Sequence, residues 1–345
     1  MRHKIVTYVG LAAIVLGLSA QEALGQGEDR RGSAGATYLL VPVTARTASL
    51  GNASTSGFTS MAGLEAIHAN PAGLVFNTGT NALFSNVQYF ADINVNTFGV
   101  AQRVGNGSLA LVITSWDFGD IPLTTEAQPE VSDVTFSPNY LQFGASYARQ
   151  LTDRIAAGVT VKLLSEDIDR ANATGVALDA GMGYTVGETG LRFGVALKNF
   201  GPSMKYSGNG LTQQVRLPGA PPNATTQAVS IEAADFELPT VLNFGVSYTS
   251  QVAQDVTFGL LGNFRSNSFA QDQFSGGLEL GLMDVLYVRG SYEWQEDMDQ
   301  TAFDGWSVGA GLNFGFAGRS ASFDYSYQGA EFFDEVQMFT VSVVL

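Results

Sequence analysis

The chain has 345 residues, no cysteine, and 17 basic against 32 acidic side chains, a formal net charge of −15. Without cysteine there are no disulfides, thiol catalysis or cysteine-ligated metals, and the acidic balance argues against nucleic acid and anionic lipid surfaces, which call for basic patches. Charged residues are only 14% and glycines number 40, yet no apolar run of helix-spanning length follows the N-terminus, which excludes a helical membrane protein and fits a β-barrel facing lipid outside and water inside.

Residues 1–25 read as a secretory signal peptide. Arg2, His3 and Lys4 form its positive start, and Ile5 to Leu18 form an apolar stretch too short to anchor in a bilayer. Cleavage after Gly25, with Ala23 at the −3 position, follows the small-residue rule; cleavage after Ala20 is the competing choice. No cysteine follows the apolar stretch, so the exported chain is not a lipoprotein.

Residues 26–82 show no strand alternation. A polar opening, "GQGEDRRGS", leads into Thr44–Leu64, rich in small residues, and then into "EAIHANPAGLVF" at 65–76. The segment is too short for a sturdy core of its own and is well sized for a plug inside a barrel. In the Asn-Pro turn, Pro71 sets its own φ and biases Asn70 toward an extended backbone. Asn70 is placed to bond the following backbone in an Asx turn, and Gly73 permits a reversal. The expectation is a turn that anchors the plug at the periplasmic end of the barrel.

Residues 83–345 alternate with the strand period. Leu109, Leu111 and Ile113 share one face; Ile155, Ala157, Val159, Val161 and Leu163 share another, opposite Ala156, Gly158, Thr160 and Lys162. Fourteen segments follow this pattern: 83–90, 93–104, 107–116, 138–150, 154–165, 173–186, 189–201, 239–251, 255–266, 273–282, 285–296, 303–316, 320–328 and 335–345. The even number and the segment lengths suit an all-β, transmembrane antiparallel barrel. The connections divide by parity. Even ones are short, such as "GN" at 105–106 and "GE" at 187–188. Odd ones include 117–137, 202–238 and acidic loops near 166–172, 267–272, 297–302 and 329–334. Short periplasmic turns and long outside loops are the outer-membrane arrangement, which places both termini in the periplasm. Aromatics near strand ends (Tyr89, Phe90, Trp116, Phe118, Tyr140, Tyr147, Tyr248, Tyr292, Trp294, Phe332, Phe333) read as interfacial girdles.

No catalytic, cofactor or metal site is expected. His68 is the one histidine left after signal removal and reads as a satisfied structural residue, since acid–base catalysis needs a partnered base. Glu166, Asp167 and Asp169, and Glu296, Asp297 and Asp299, lack the order and glycine of a calcium loop and read as solvated loop charges. Charges on the small-residue face (Arg103, Lys162, Asp179, Arg192, Lys198, Arg265, Glu279, Arg289, Glu293, Asp324) are mixed in sign and read as ion pairs that hold the plug.

The ordered series Ala45-Arg46, Leu50-Gly51 and Asn70-Pro71-Ala72-Gly73-Leu74 resembles the start of the PorV/PorQ family, within the FadL-like outer-membrane barrels. Leu50-Gly51-Asn52 stands where that family often has Met-Gly-Gly. The resemblance implies a fourteen-stranded barrel with an N-terminal plug and a structural role for these eight residues. It also implies a non-enzymatic docking or shuttle part in type IX-like protein secretion, with exported proteins or secretion subunits met through 117–137 and 202–238. The alternative it carries is a FadL-like channel for hydrophobic small molecules. That reading needs an apolar pocket and a lateral gap at a strand kink, for which the paired glycines of "FSGGLELG" at 274–281 are the candidate.

Overall fold

The computed structural model describes residues 32–56, 63–124, 134–216, 219, 221, 225–296, 298, 301–316, 318–331 and 333–345. The expected signal peptide lies outside them. Among the described residues, fourteen antiparallel strands close into a barrel. They are β1 (Thr80–Gln88), β2 (Asn94–Val104), β3 (Gly107–Asp117), β4 (Asn139–Thr152), β5 (Ile155–Ile168), β6 (Ala171–Thr185), β7 (Leu191–Phe200), β8 (Val241–Ala253), β9 (Val256–Asn267), β10 (Gln273–Leu282), β11 (Leu286–Gln295), β12 (Phe303–Phe316), β13 (Arg319–Ala330) and β14 (Val336–Val344). Every strand pairs with its sequence neighbour, and β1 pairs with β14, from Asn81↔Val344 to Gln88↔Gln337, so no edge is left open. The wall opens at Thr80 rather than at 83.

The alternation sets the radial direction of each side chain. Leu109, Leu111 and Ile113 are each more than 40% exposed on the outer face, as are Val159, Val161 and Leu163. Between them Ala110, Val112, Thr114, Thr160 and Lys162 are buried in the lumen. No helix among the described residues is long and apolar enough to cross a membrane; an apolar outer band on a closed barrel is the strand-built solution, with every backbone group paired within the wall.

One expectation about the connections changes. β5 and β6 run on to Ile168 and from Ala171, joined only by Asp169-Arg170, with Asp169 at φ 51°. There is therefore no acidic loop over 166–172, and Glu166 is buried rather than solvated. The physical reason is its parity: on β5 the odd positions face out, so position 166 faces in. The first hairpin is tight, with Ala91 and Asp92 both left-handed (φ 55° and 58°), as a two-residue hairpin turn requires.

Candidate functional site

The lumen is filled from the N-terminal side by five short helical turns: Thr37–Leu40, Ala45–Ser49, Gly51–Ser56, Gly63–His68 and Pro71–Phe76. Small residues allow these turns to press directly on the wall. Leu64, Ile67, Ala72, Leu74 and Val75 form one apolar cluster with wall residues such as Leu83, Val112 and Ala156. Leu50, Ala53 and Ala69 form another with Leu261.

Arg46 is the main charged tether. Its guanidinium meets Asp324 of β13 at 2.6 Å, and the other oxygen of Asp324 accepts from Arg289 of β11 at 2.7 Å. Arg289 also pairs with Glu279 of β10 at 2.6 Å. The backbone N–H of Ala45 donates to Thr340 Oγ1 at 2.8 Å. Glu65 is buried beside this network, and its oxygens make no hydrogen bond of good geometry, even with the neighbouring Thr44 hydroxyl. Burial pushes the Glu65 carboxyl up, against the pull of Arg46. Arg46 and Arg289 thus face the carboxylates of Asp324 and Glu279, opposite charges matched as a buried cluster needs. On the far side of the lumen Lys162 pairs with Asp179 at 2.6 Å. Of the inner charges expected as pairs, Lys162, Asp179, Glu279, Arg289 and Asp324 form ion pairs, one of which crosses from plug to wall. Arg103, Lys198 and Arg265 donate instead to carbonyl or amide oxygens, and Glu293 accepts from Asn52.

The Asn-Pro turn is the second tether. Asn70 caps the turn Pro71–Phe76: its Oδ1 accepts from the Ala72 N–H at 3.0 Å. Its Nδ2 donates to Thr55 O at 2.9 Å and to Met182 O on β6 at 3.0 Å. One side chain therefore joins two plug segments to the wall. Gly51, at φ 54°, abuts Ser291 of β11. Ala72, Gly73 and Leu74 are buried. Asn70→Ala is expected to destabilise the folded barrel by about 2 kcal/mol, the sum of a lost cap and stranded carbonyls. A denaturant titration in detergent micelles measures it; a wild-type midpoint would show that the turn anchors nothing.

His68 is half-buried with its Nε2 shut off from solvent, and that nitrogen has no hydrogen-bond partner, so it is not the satisfied residue expected. Burial, with the Lys198 and Lys162 ammonium groups nearby, pushes it down to about 3 and keeps it neutral.

The aromatics expected in girdles divide by parity. Tyr147, Tyr248, Tyr292 and Trp294 are exposed on the outer face. Trp116 is buried, and with Tyr89, Phe90, Phe118 and Tyr140 it lines a cavity of about 660 Å3 at the long-loop end. Phe332 lies outside the described residues. The cavity is completed by Tyr38 and Val41 of the plug, by Glu166, and by Tyr206 and Phe236 from the connection between β7 and β8. Tyr38 packs against Trp116 edge-on at 5.7 Å and against Tyr140 at 5.1 Å. The size lies within the about 300–1,000 Å3 common for small-ligand sites.

Below it lies a second cavity of about 60 Å3, lined by His68, Asn52, Lys162, Lys198, Asn243 and Arg265 among others. Tyr38, Val41 and Trp116 line both spaces, so they form the partition between them. The wall is not irregular at Gly276-Gly277, where β10 keeps an unbroken register with both neighbours. Its register shifts near the ends of β4, β8 and β12 and within β7, where Leu178 faces Phe200 and Ala180 faces Leu197, so that Lys198 and Asn199 stand against Asp179 alone. Asn199 sits there at φ 59°, its N–H held by Asp179 at 2.8 Å. Nearby, Gly158 and Gly181 leave the wall at backbone thickness behind Pro71 and Asn70. Outside, an apolar groove of about 530 Å3 runs over the same glycines between Tyr147, Val159, Met182 and Val195.

No protein-family model matches the sequence, and no curated protein sequence matches it. Among solved structures, the chain is similar to the Pseudomonas putida toluene transporter TodX, at 12% identity, covering 92% of this chain and 98% of that one, with a TM-score of 0.54. It is also similar to a Pseudomonas aeruginosa FadL homologue, at 13% identity, 88% and 98% coverage and a TM-score of 0.52. The fold is that of the FadL-like outer-membrane barrels; nothing in these likenesses singles out the PorV/PorQ branch.

Proposed function

We infer that this protein is a non-enzymatic outer-membrane channel for small hydrophobic molecules, with its long-loop end outside and both termini in the periplasm. The observation that carries the reading is the aromatic mouth cavity, which leads onto a partition made partly of plug. A solute captured among Tyr89, Trp116 and Tyr140 passes inward when Tyr38 and its turn shift. Withdrawal of the Asn70-Pro71 turn would then expose the thin wall at Gly158 and Gly181, beside the outer apolar groove. This route replaces the paired-glycine kink expected in β10. The two solved neighbours, one a toluene transporter by name, favour the same solute class.

Expression in a host lacking such a channel is expected to speed uptake of labelled toluene. Trp116→Ala is expected to slow it about two- to tenfold, the worth of a lost aromatic contact. Uptake no faster with the barrel than without it would sink the reading.

Docking of exported proteins, as in type IX-like secretion, remains the second reading. It is favoured by exposed apolar residues on the two long connections, Ile121, Leu123 and Val134 on one and Val229 and Ile231 on the other. A pull-down of the tagged barrel from native membranes tests it: recovered cargo or secretion subunits support docking, and recovery of the barrel alone counts against it.

A further inference from the structure

We propose that the mouth cavity selects small organic cations, namely protonated amines carrying an aromatic group. This rests on the channel reading and narrows its substrate class. Among the described residues lining the cavity, Glu166 carries the sole formal charge; the rest are aromatic, aliphatic or small neutral residues. Glu166 is 2% exposed. Tyr206 donates its hydroxyl to Oε2. Oε1 makes no hydrogen bond of good geometry, and neither does the buried Tyr38 hydroxyl beside it. Among the described residues, no lysine or arginine lines the cavity to balance the carboxylate.

A buried carboxylate without a cation is costly. A hydrocarbon entering this space would meet the aromatic faces but leave the carboxylate unsatisfied. An anion would be repelled. An ammonium group satisfies the carboxylate and also lies among ring faces, whose negative quadrupoles attract cations. Tyr38, Trp116, Tyr140 and Tyr206 supply those faces within one contiguous wall. The chain's net charge of −15 adds a field that draws cations toward the barrel.

The test is a calorimetric titration of the purified full chain in a neutral detergent with three probes that share a ring: 2-phenylethylammonium, 2-phenylethanol and phenylacetate. The ammonium is expected to bind roughly tenfold or more tightly than the alcohol, as a desolvated cation–π site with a counter-charge allows, and phenylacetate weakest of all. Glu166→Gln is expected to abolish the preference for the ammonium and leave the alcohol nearly unchanged. The wild-type series is decisive even if that variant fails to assemble. Equal affinity for ammonium and alcohol, or a preference that survives Glu166→Gln, would overturn the proposal. Toluene uptake separates the two readings. Uptake without an amine preference sinks this proposal alone; an amine preference with no uptake of toluene or amine sinks the channel and leaves the binding site standing.

Discussion

Asp324→Ala is expected to destabilise the barrel by about 3–5 kcal/mol, because it strands buried positive charge in the lumen. Asp324 is essentially inaccessible and takes Arg46 on one oxygen and Arg289 on the other. Arg289 keeps Glu279, while Arg46 loses the carboxylate that meets it at 2.6 Å. The plug tether should therefore fail first. The measurement is the temperature at which the folded, fast-migrating form is lost on a gel, together with protease access to residues 32–56. The double variant Arg46→Met with Asp324→Leu is expected to recover much of the loss, since an apolar pair removes the charge together with its partner. A single variant that melts with the wild type would show that the network does not hold the plug.

Gly181→Ala and Gly183→Ala are expected to behave oppositely, although they lie two residues apart on one strand face. A Cβ at Gly181 would overlap Asn70 Oδ1 and come within 3.1 Å of Pro71 Cδ, whereas a Cβ at Gly183 meets nothing within 4 Å. Gly158 repeats the constraint from β5, where a Cβ would stand 2.5 Å from the Pro71 carbonyl. Neither the plug backbone nor the closed wall can retreat cheaply, so overpacking here should cost about 1–3 kcal/mol or expel the turn. Gly183→Ala should match the wild type. Thermal melts and plug proteolysis of the two variants give the comparison; equal behaviour would mean that the plug does not press on the wall at β6.

The wall was almost wholly legible in the sequence. All fourteen expected segments form strands, with ends displaced by no more than three residues. Lipid on one side and a crowded lumen on the other leave period 2 as the only workable pattern, so the signal repeats in every strand. Among the charged inner positions, Lys162, Asp179, Glu279, Arg289 and Asp324 read correctly as ion-paired, since a buried charge must find its opposite, whereas Lys198 and Arg265 are held by carbonyl and amide oxygens instead.

The mouth cavity was missed, although its signal was present. Trp116 and Tyr140 stand on the even parity of β3 and β4, opposite Ile113 and Leu141, and Glu166 stands on the even parity of β5. Grouped by closeness to strand ends, Trp116 and Tyr140 passed for girdle residues; grouped by parity, they would have pointed inward at one end of one barrel. Tyr206 and Phe236 could not have been placed by either rule, because the connection that carries them has no period.

The sequence by itself determined a fourteen-stranded barrel, the inward or outward alternation along its strands, and an N-terminal segment small enough to fit inside. These follow from local alternation, which lipid enforces strand by strand. Only the tertiary structure decided which charges meet, that Asn70 joins Thr55 to Met182, and that Tyr38 and Trp116 divide the lumen. Those contacts join residues far apart in the chain. They depend on how the plug is threaded through a closed ring, and no local pattern encodes that geometry.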